Sequence, residues 1–305
     1  MKKQDLKIGI VGVGRFGSRH LNKWLNMDHV SLMGFNDIDP EVCKKVISET
    51  GLPSLTLDEL IDRIDILDIV VPAVSHFQIA EKALLAGKHV FVEKPFAETP
   101  EQAQQLAKLA KNNNLKIGIG HIERFNPVYQ ELKNILTFPP ETIVAFRQGP
   151  FIPKVGLDVS IIMELMVHDI DLVRQLIPSP IKHIHATGEI LHSHKIDRAT
   201  AIINFENGSE AVLFSSRAEE FRRREVICSS GTSIYKANLM ERNFSISDDE
   251  VVKSFGEFDA MADELKAYVF AVQHDESHIV NENNGVDTIE IAKKIEDLIL
   301  QNIKS

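Results

Sequence analysis

Gly12-Val13-Gly14-Arg15-Phe16-Gly17 and, twenty residues past its last glycine, Asp37 form the most informative constellation in this sequence. The hexapeptide follows the apolar run Lys7-Ile8-Gly9-Ile10-Val11 and precedes an amphipathic stretch. Glycine is needed there for a tight turn, for close approach of backbone to a pyrophosphate, and for close packing of helix on strand. A helix starting at such a loop offers free N–H groups and the positive end of its dipole to phosphate oxygens. Arg15 and Phe16 lie inside the loop and are expected against the same cofactor. Asp37 falls where a carboxylate accepts from both ribose hydroxyls of a dinucleotide and repels a 2′-phosphate, which favours NAD over NADP. The alternative for Asp37 is a loop or capping role ahead of Pro40, for which Asp39 is better placed.

A second constellation lies in a run of Ile, Leu, Met and Val predicted to be helical over residues 159–177. Glu164, His168 and Asp171 stand there at i, i+4 and i+7, on one helix face. Burying two carboxylates and an imidazole is costly unless they pair or face a ligand, so the stripe is expected to line a cleft. The chemistry on offer is proton transfer by His168, with Glu164 or Asp171 holding the ring tautomer. A helix with one solvated side, or an internally paired histidine, would leave the same pattern. His183, His185, His192 and His194 add possible metal ligands, but none has a recognised zinc spacing, and no metal is expected. Arg147, Arg217 and Arg222-Arg223-Arg224 are the conspicuous basic residues of an acidic chain. Guanidinium groups are well shaped to grip a diphosphate. For the triple run, strand-face ion pairs are the simpler explanation.

These residues need elements to position them. Short β-branched runs alternate with stretches of helical period over the first 120 residues, which predicts a parallel sheet with crossover helices. Beyond that point strand signals follow one another, with Asn207-Gly208 as a hairpin turn, so a mostly antiparallel sheet is expected. The chain is thus read as α/β, with residues 1–121 as a dinucleotide-binding domain and 122–305 as a substrate-binding and oligomerisation domain. Its 305 residues suffice for two cores. A net charge of −10 argues against nucleic acid or an anionic membrane as partner. Cys43 and Cys228 suggest neither a disulfide framework nor a zinc module, consistent with a reducing, cytoplasmic setting. Met1-Lys2-Lys3 and the short run after it make a poor signal peptide.

Ala86-Gly87-Lys88-His89-Val90-Phe91-Val92-Glu93-Lys94-Pro95 resembles the matching segment of the Gfo/Idh/MocA family of nicotinamide-dependent oxidoreductases, which mostly act on sugars and cyclitols. The resemblance runs along the chain through the glycine loop, Val71-Pro72 with His76, the helix bearing His168 and the helix after Gly285. It implies an N-terminal Rossmann domain and a C-terminal α+β domain with a large, open, mostly antiparallel sheet. By the same resemblance Val71, Pro72, His76 and Glu93 belong to the cofactor site, and Lys94 lies beside nicotinamide and substrate before a commonly cis peptide bond. Arg124, Asn126 and Arg147 become substrate candidates, and association as a homodimer or homotetramer through the open sheet face is expected. Where the family usually has Asp four residues before the histidine, this chain has Glu164.

Within the family, the runs 120–127, 146–151 and 158–171 most resemble the branch that oxidises UDP-N-acetylglucosamine at C3. The expectation is therefore an NAD-dependent dehydrogenase of a sugar or nucleotide sugar, with Lys94 and His168 catalytic and the formal base left open between them. A dehydrogenase or reductase of a free sugar, inositol or amino-sugar is the alternative within the class. A non-catalytic cofactor-binding regulator is the alternative outside it, disfavoured because Lys94 and His168 are both retained.

Overall fold

A computed structural model describes residues 5–153, 156–247 and 253–304; Met1-Lys2-Lys3 lie outside them. The chain divides into two compact units, Met1–Gly120 with Met261–Asp287, and His121–Ala260 with Thr288–Ser305.

In the first unit β1 (Leu6–Val11), α1 (Gly17–Leu25), β2 (Val30–Asn36), α2 (Pro40–Thr50), α3 (Leu57–Asp62), β3 (Ile66–Ile69), α4 (His76–Leu85), β4 (His89–Glu93), α5 (Pro100–Asn112) and β5 (Ile117–Gly120) alternate as the periodicity predicts. All strand pairs are parallel, in the order β2-β1-β3-β4-β5. Ile8, Ile10, Ile66, Leu67, Val90 and Phe91 are buried, as in a sheet covered on both faces. The order reverses between β1 and β3, and ligands of open α/β sheets bind at the carboxyl ends of strands at such a point. Side chains mark the helix starts: Asp39 caps α2, and Thr56 and Glu59 form a capping box on α3.

The second unit contains α6 (Pro127–Ile135), β6 (Thr142–Gln148), α7 (Val167–Leu176), β7 (Ile181–Glu189), β8 (Arg198–Phe205), β9 (Glu210–Ser216), β10 (Arg223–Ser230), β11 (Ser233–Asn238), β12 (Asn243–Ile246) and β13 (Lys253–Ser254). These strands form an eight-stranded sheet, antiparallel except where β6 pairs with β9. Burial alternates along β6 and β8, so α6 and α7 cover one face and the other is half-exposed. The β8–β9 turn departs from the expected two-residue form. Only Gly208 takes positive φ, and its N–H donates to the Phe205 carbonyl, which makes a three-residue loop.

Two further differences bear on function. The continuous helix expected over 159–177 opens instead with a π-helical turn, Ile162–Met166, which contains Glu164 and runs into α7. Single π turns inside helices are common at functional sites. The single break expected at residue 121 is also corrected, because Met261–Asp287 returns to the first unit. The following helices are α8 (Ala260–His274) and α9 (Glu282–Lys304). Tyr268 of α8 packs edge-on to Phe91 with ring centroids 5.3 Å apart and donates its hydroxyl to the Lys116 carbonyl. The Ile119 N–H donates to the Val280 carbonyl. Gly285 lies where a side chain would strike Ile119 and Phe96.

Candidate active site

In the first unit the glycine loop fits a dinucleotide pyrophosphate. Gly12 has φ of 84°, and a Cβ there would run into the Val70 carbonyl. At Gly17 a Cβ would strike the Gly12 carbonyl, so α1 can pack this close to the loop only with glycine. Gly14 differs: a Cβ would meet no atom of the chain within 4 Å, which leaves its face open to a ligand. No side chain caps α1 at its N-terminus. Asp37 is half-buried at the end of β2; its Oδ2 accepts the Val13 N–H at 2.8 Å and its Oδ1 the Asp39 N–H at 2.9 Å. The carboxylate therefore braces the loop, and each oxygen retains a lone pair with which it could accept from a ligand hydroxyl.

Beside the loop, His76 is buried with Nδ1 2.8 Å from the Pro95 carbonyl and Nε2 2.9 Å from that of Val71. It ties the Val71-Pro72 turn to Lys94-Pro95, whose peptide bond is cis. Burial lowers the His76 pKa, so the ring is neutral and donates to one carbonyl at a time. Lys94, half-buried, follows β4 at its carboxyl end. Behind it lies a network with no sequence signature. His20 is fully buried, with Nδ1 2.9 Å from Asp68 and Nε2 3.2 Å from Glu93, while the Trp24 indole donates to Asp68 at 2.6 Å. Burial opposes charge on His20, but the attraction of Asp68 and hydrogen bonds to both carboxylates outweigh it and raise its pKa well above the ordinary value.

In the second unit the three residues expected against substrate are all turned inward. Arg124 is 6 % exposed, and both oxygens of Asp171 accept from its guanidinium. Asn126 caps α6 by accepting the Val128 N–H, and its amide donates to Glu123 and to the Leu239 carbonyl. Arg147 is 2 % exposed; it donates to Asp169 at 2.9–3.1 Å and to Glu123 at 2.8 Å. Burial opposes its charge, but the two carboxylates outweigh that and raise its pKa. A guanidinium so engaged holds the fold together. Removing one partner of a buried ion pair costs about 3–5 kcal/mol, so Arg147→Ala should lower the urea midpoint by a corresponding amount. An unchanged midpoint with weakened anion binding would contradict this structural role.

The predicted stripe divides. Asp171, at 1 % exposure, anchors α7 through Arg124 rather than lining a cleft. Glu164 accepts from Arg217 at 2.8 Å, and Arg217 also donates to the buried Asp197 at 2.8 Å. His168, 9 % exposed, packs edge-on to the His121 ring with centroids 6.0 Å apart and planes at 87°. Glu164 borders a cleft of about 210 Å³ at the ends of β6, β9 and β10, lined also by Arg147, Arg217, Arg222 and Arg224. The arginine run alternates as a strand must: Arg223 stacks over Phe146 at 3.7 Å and pairs with Glu225, on the face opposite Arg224. Strand-face pairing thus accounts for Arg223 alone. Among the described residues no three of His, Cys, Asp and Glu converge as a metal site.

Comparison with known proteins agrees with this geometry. The oxidoreductase family model with an NAD-binding Rossmann fold matches residues 6–121, and the Gfo/Idh/MocA C-terminal domain model matches residues 147–234. UDP-N-acetylglucosamine 3-dehydrogenase of Acidithiobacillus ferrooxidans is 34 % identical over 224 residues, which cover 72 % of this chain and 71 % of that protein. The chain belongs to the Gfo/Idh/MocA oxidoreductase family. A solved structure of the same A. ferrooxidans enzyme superposes with a TM-score of 0.91 at 29 % identity, covering 97 % of this chain and 98 % of that one. Myo-inositol 2-dehydrogenase of Thermotoga maritima is 22 % identical over 308 residues, 92 % of each chain. The fold is shared with scyllo-inositol dehydrogenase of Lactobacillus casei, solved with NAD(H) and scyllo-inositol, at a TM-score of 0.84 and 22 % identity over 98 % of each chain.

Proposed function

We propose that the protein oxidises the C3 hydroxyl of UDP-N-acetylglucosamine, or of a closely related nucleotide sugar, to the ketone with NAD. The 34 % identity to the A. ferrooxidans UDP-N-acetylglucosamine 3-dehydrogenase carries this reading. The arginine-lined cleft beside Glu164 supports it, since a diphosphate suits such a surface and a cyclitol does not require one.

Bound NAD supplies the hydride acceptor. The glycine loop and the first turn of α1 hold its pyrophosphate, and Asp37 takes the adenine ribose. His168 accepts the hydroxyl proton as the C3 hydrogen leaves with its electron pair, so the C–O bond becomes a carbonyl. Lys94 supplies the cation that stabilises developing alkoxide. His121 packing orients the imidazole, and Asp171 fixes the helix that carries it through Arg124. The first unit thus serves the cofactor and the second the substrate.

The setting we propose is cytoplasmic, in keeping with free Cys43 and Cys228; burial pushes the Cys228 thiol up to about 12. Assembly as a homodimer or homotetramer would use the half-exposed sheet face bearing Phe146, Ile202 and Phe214.

NADH formation against a panel of UDP-sugars, free sugars and cyclitols, each with NAD and NADP, tests the proposal. UDP-N-acetylglucosamine with NAD should give the highest kcat/KM, and preference for a free sugar or an inositol would overturn it. Because Asp37 repels a 2′-phosphate, NADP should support turnover at least tenfold less well.

A further inference from the structure

We infer that Arg222 and Arg224, and not Arg147, form an anion subsite that grips the diphosphate of the substrate; the assignment rests on the nucleotide-sugar reading above. Four guanidinium groups border the cleft, but two are already spent. Arg147 is held by Asp169 and Glu123. Arg217 is held by Asp197 and Glu164, and donates further to Ser193 and to the carbonyls of Gly156 and Val159. Three of the carboxylates, Glu123, Asp169 and Asp197, are buried with side chains 0 to 8 % exposed, and the fourth, Glu164, lines the cleft with its charge already met by Arg217.

Arg222 and Arg224 stand in front. The Arg224 side chain is 48 % exposed, and its carboxylate neighbour Glu123 is 3.6 Å away and already bonded to Arg147. Arg222 is exposed and has no carboxylate within ion-pair distance among the described residues. Burial and the neighbouring Arg147 guanidinium press the Arg224 pKa down, an electrostatic stress that a bound anion relieves. Arg224 pairs in register with Arg147 across β10 and β6, which fixes the side of the sheet it faces. Two residues apart on an extended chain, Arg222 and Arg224 lie about 6.6 Å from one another, so their planar forks can take neighbouring phosphates. The Arg222 stem runs beside Gly149 at the cleft, its Cγ 3.4 Å from the position a Cβ would take there.

Calorimetric titration of the full chain with UDP and with inorganic pyrophosphate tests the subsite without turnover. The Arg222→Ala/Arg224→Ala double variant should bind both at least tenfold more weakly, while Arg223→Ala, on the opposite face, binds both as wild type does. Equal affinities in wild type and double variant, or an equal loss in Arg223→Ala, would overturn the assignment. Kinetics separate this from the substrate proposal. If wild type oxidises UDP-N-acetylglucosamine and the double variant keeps the same KM, the subsite is wrong and the function stands. If wild type does not oxidise it but pyrophosphate and UDP binding still fall in the double variant, the subsite stands and the substrate is another diphosphate.

Discussion

Replacing His168 with alanine is expected to lower kcat by about 10²–10⁴-fold, the range that a positioned proton acceptor contributes. Lys94→Ala should fall in the same range, because a cation at developing alkoxide acts only as charge appears. Neither change should move the NAD dissociation constant by more than about twofold, since the proposed function assigns the pyrophosphate and ribose contacts to Gly12 through Gly17 and Asp37. The two effects are separable by measuring kcat under saturating substrate and NAD affinity by fluorescence or calorimetry. Losses of only a few-fold in both variants would remove both residues from the chemistry. Loss of NAD affinity in step with kcat would mean that they serve the fold or the cofactor instead.

The second large effect concerns two glycines of one loop that should fail in different ways. At Gly14 a side chain has space within the protein, so Gly14→Val should fold and melt as wild type does. Its bulk would occupy the open face of the loop, and NAD affinity should drop by at least tenfold. At Gly17 even a methyl group meets the Gly12 carbonyl, and Gly17→Ala should therefore lower the melting temperature as well as NAD affinity. Thermal melts with and without NAD distinguish the two. Normal cofactor binding by Gly14→Val would show that the pyrophosphate does not pass over this loop.

Much of the first unit was legible because its determinants are local. Gly12 to Gly17 follow a strand and open a helix, and Asp37 stands at the next strand end, all within forty residues. The strand reading likewise put Lys94 at the carboxyl end of β4, where the structure has it. What escaped was long-range pairing. Nothing local shows that Glu123 and Asp169 take up the guanidinium of Arg147, or that Arg124 and Asp171 meet across 47 residues. One signal was available: Arg147 has the same parity as the buried Ile143 and Ala145 on β6, which predicts an inward guanidinium in need of carboxylates. Parity also separates Arg222 and Arg224 from Arg223. The π-helical turn has no such signal, and it moves Glu164 off the regular α-helical spacing to His168. His20 stood three residues beyond the loop, but its partners Asp68 and Glu93 come from β3 and β4 and become visible only once those strands are adjacent.

The most direct test of the central claim follows the hydrogen itself. UDP-N-acetylglucosamine carrying deuterium at C3 is incubated with the protein and NAD, and the reduced cofactor and the sugar are analysed by mass spectrometry. The proposed reaction puts one deuterium on the cofactor and yields a 3-keto sugar lacking it. Reduced cofactor without deuterium, or a sugar product that keeps its label, would contradict hydride transfer from C3.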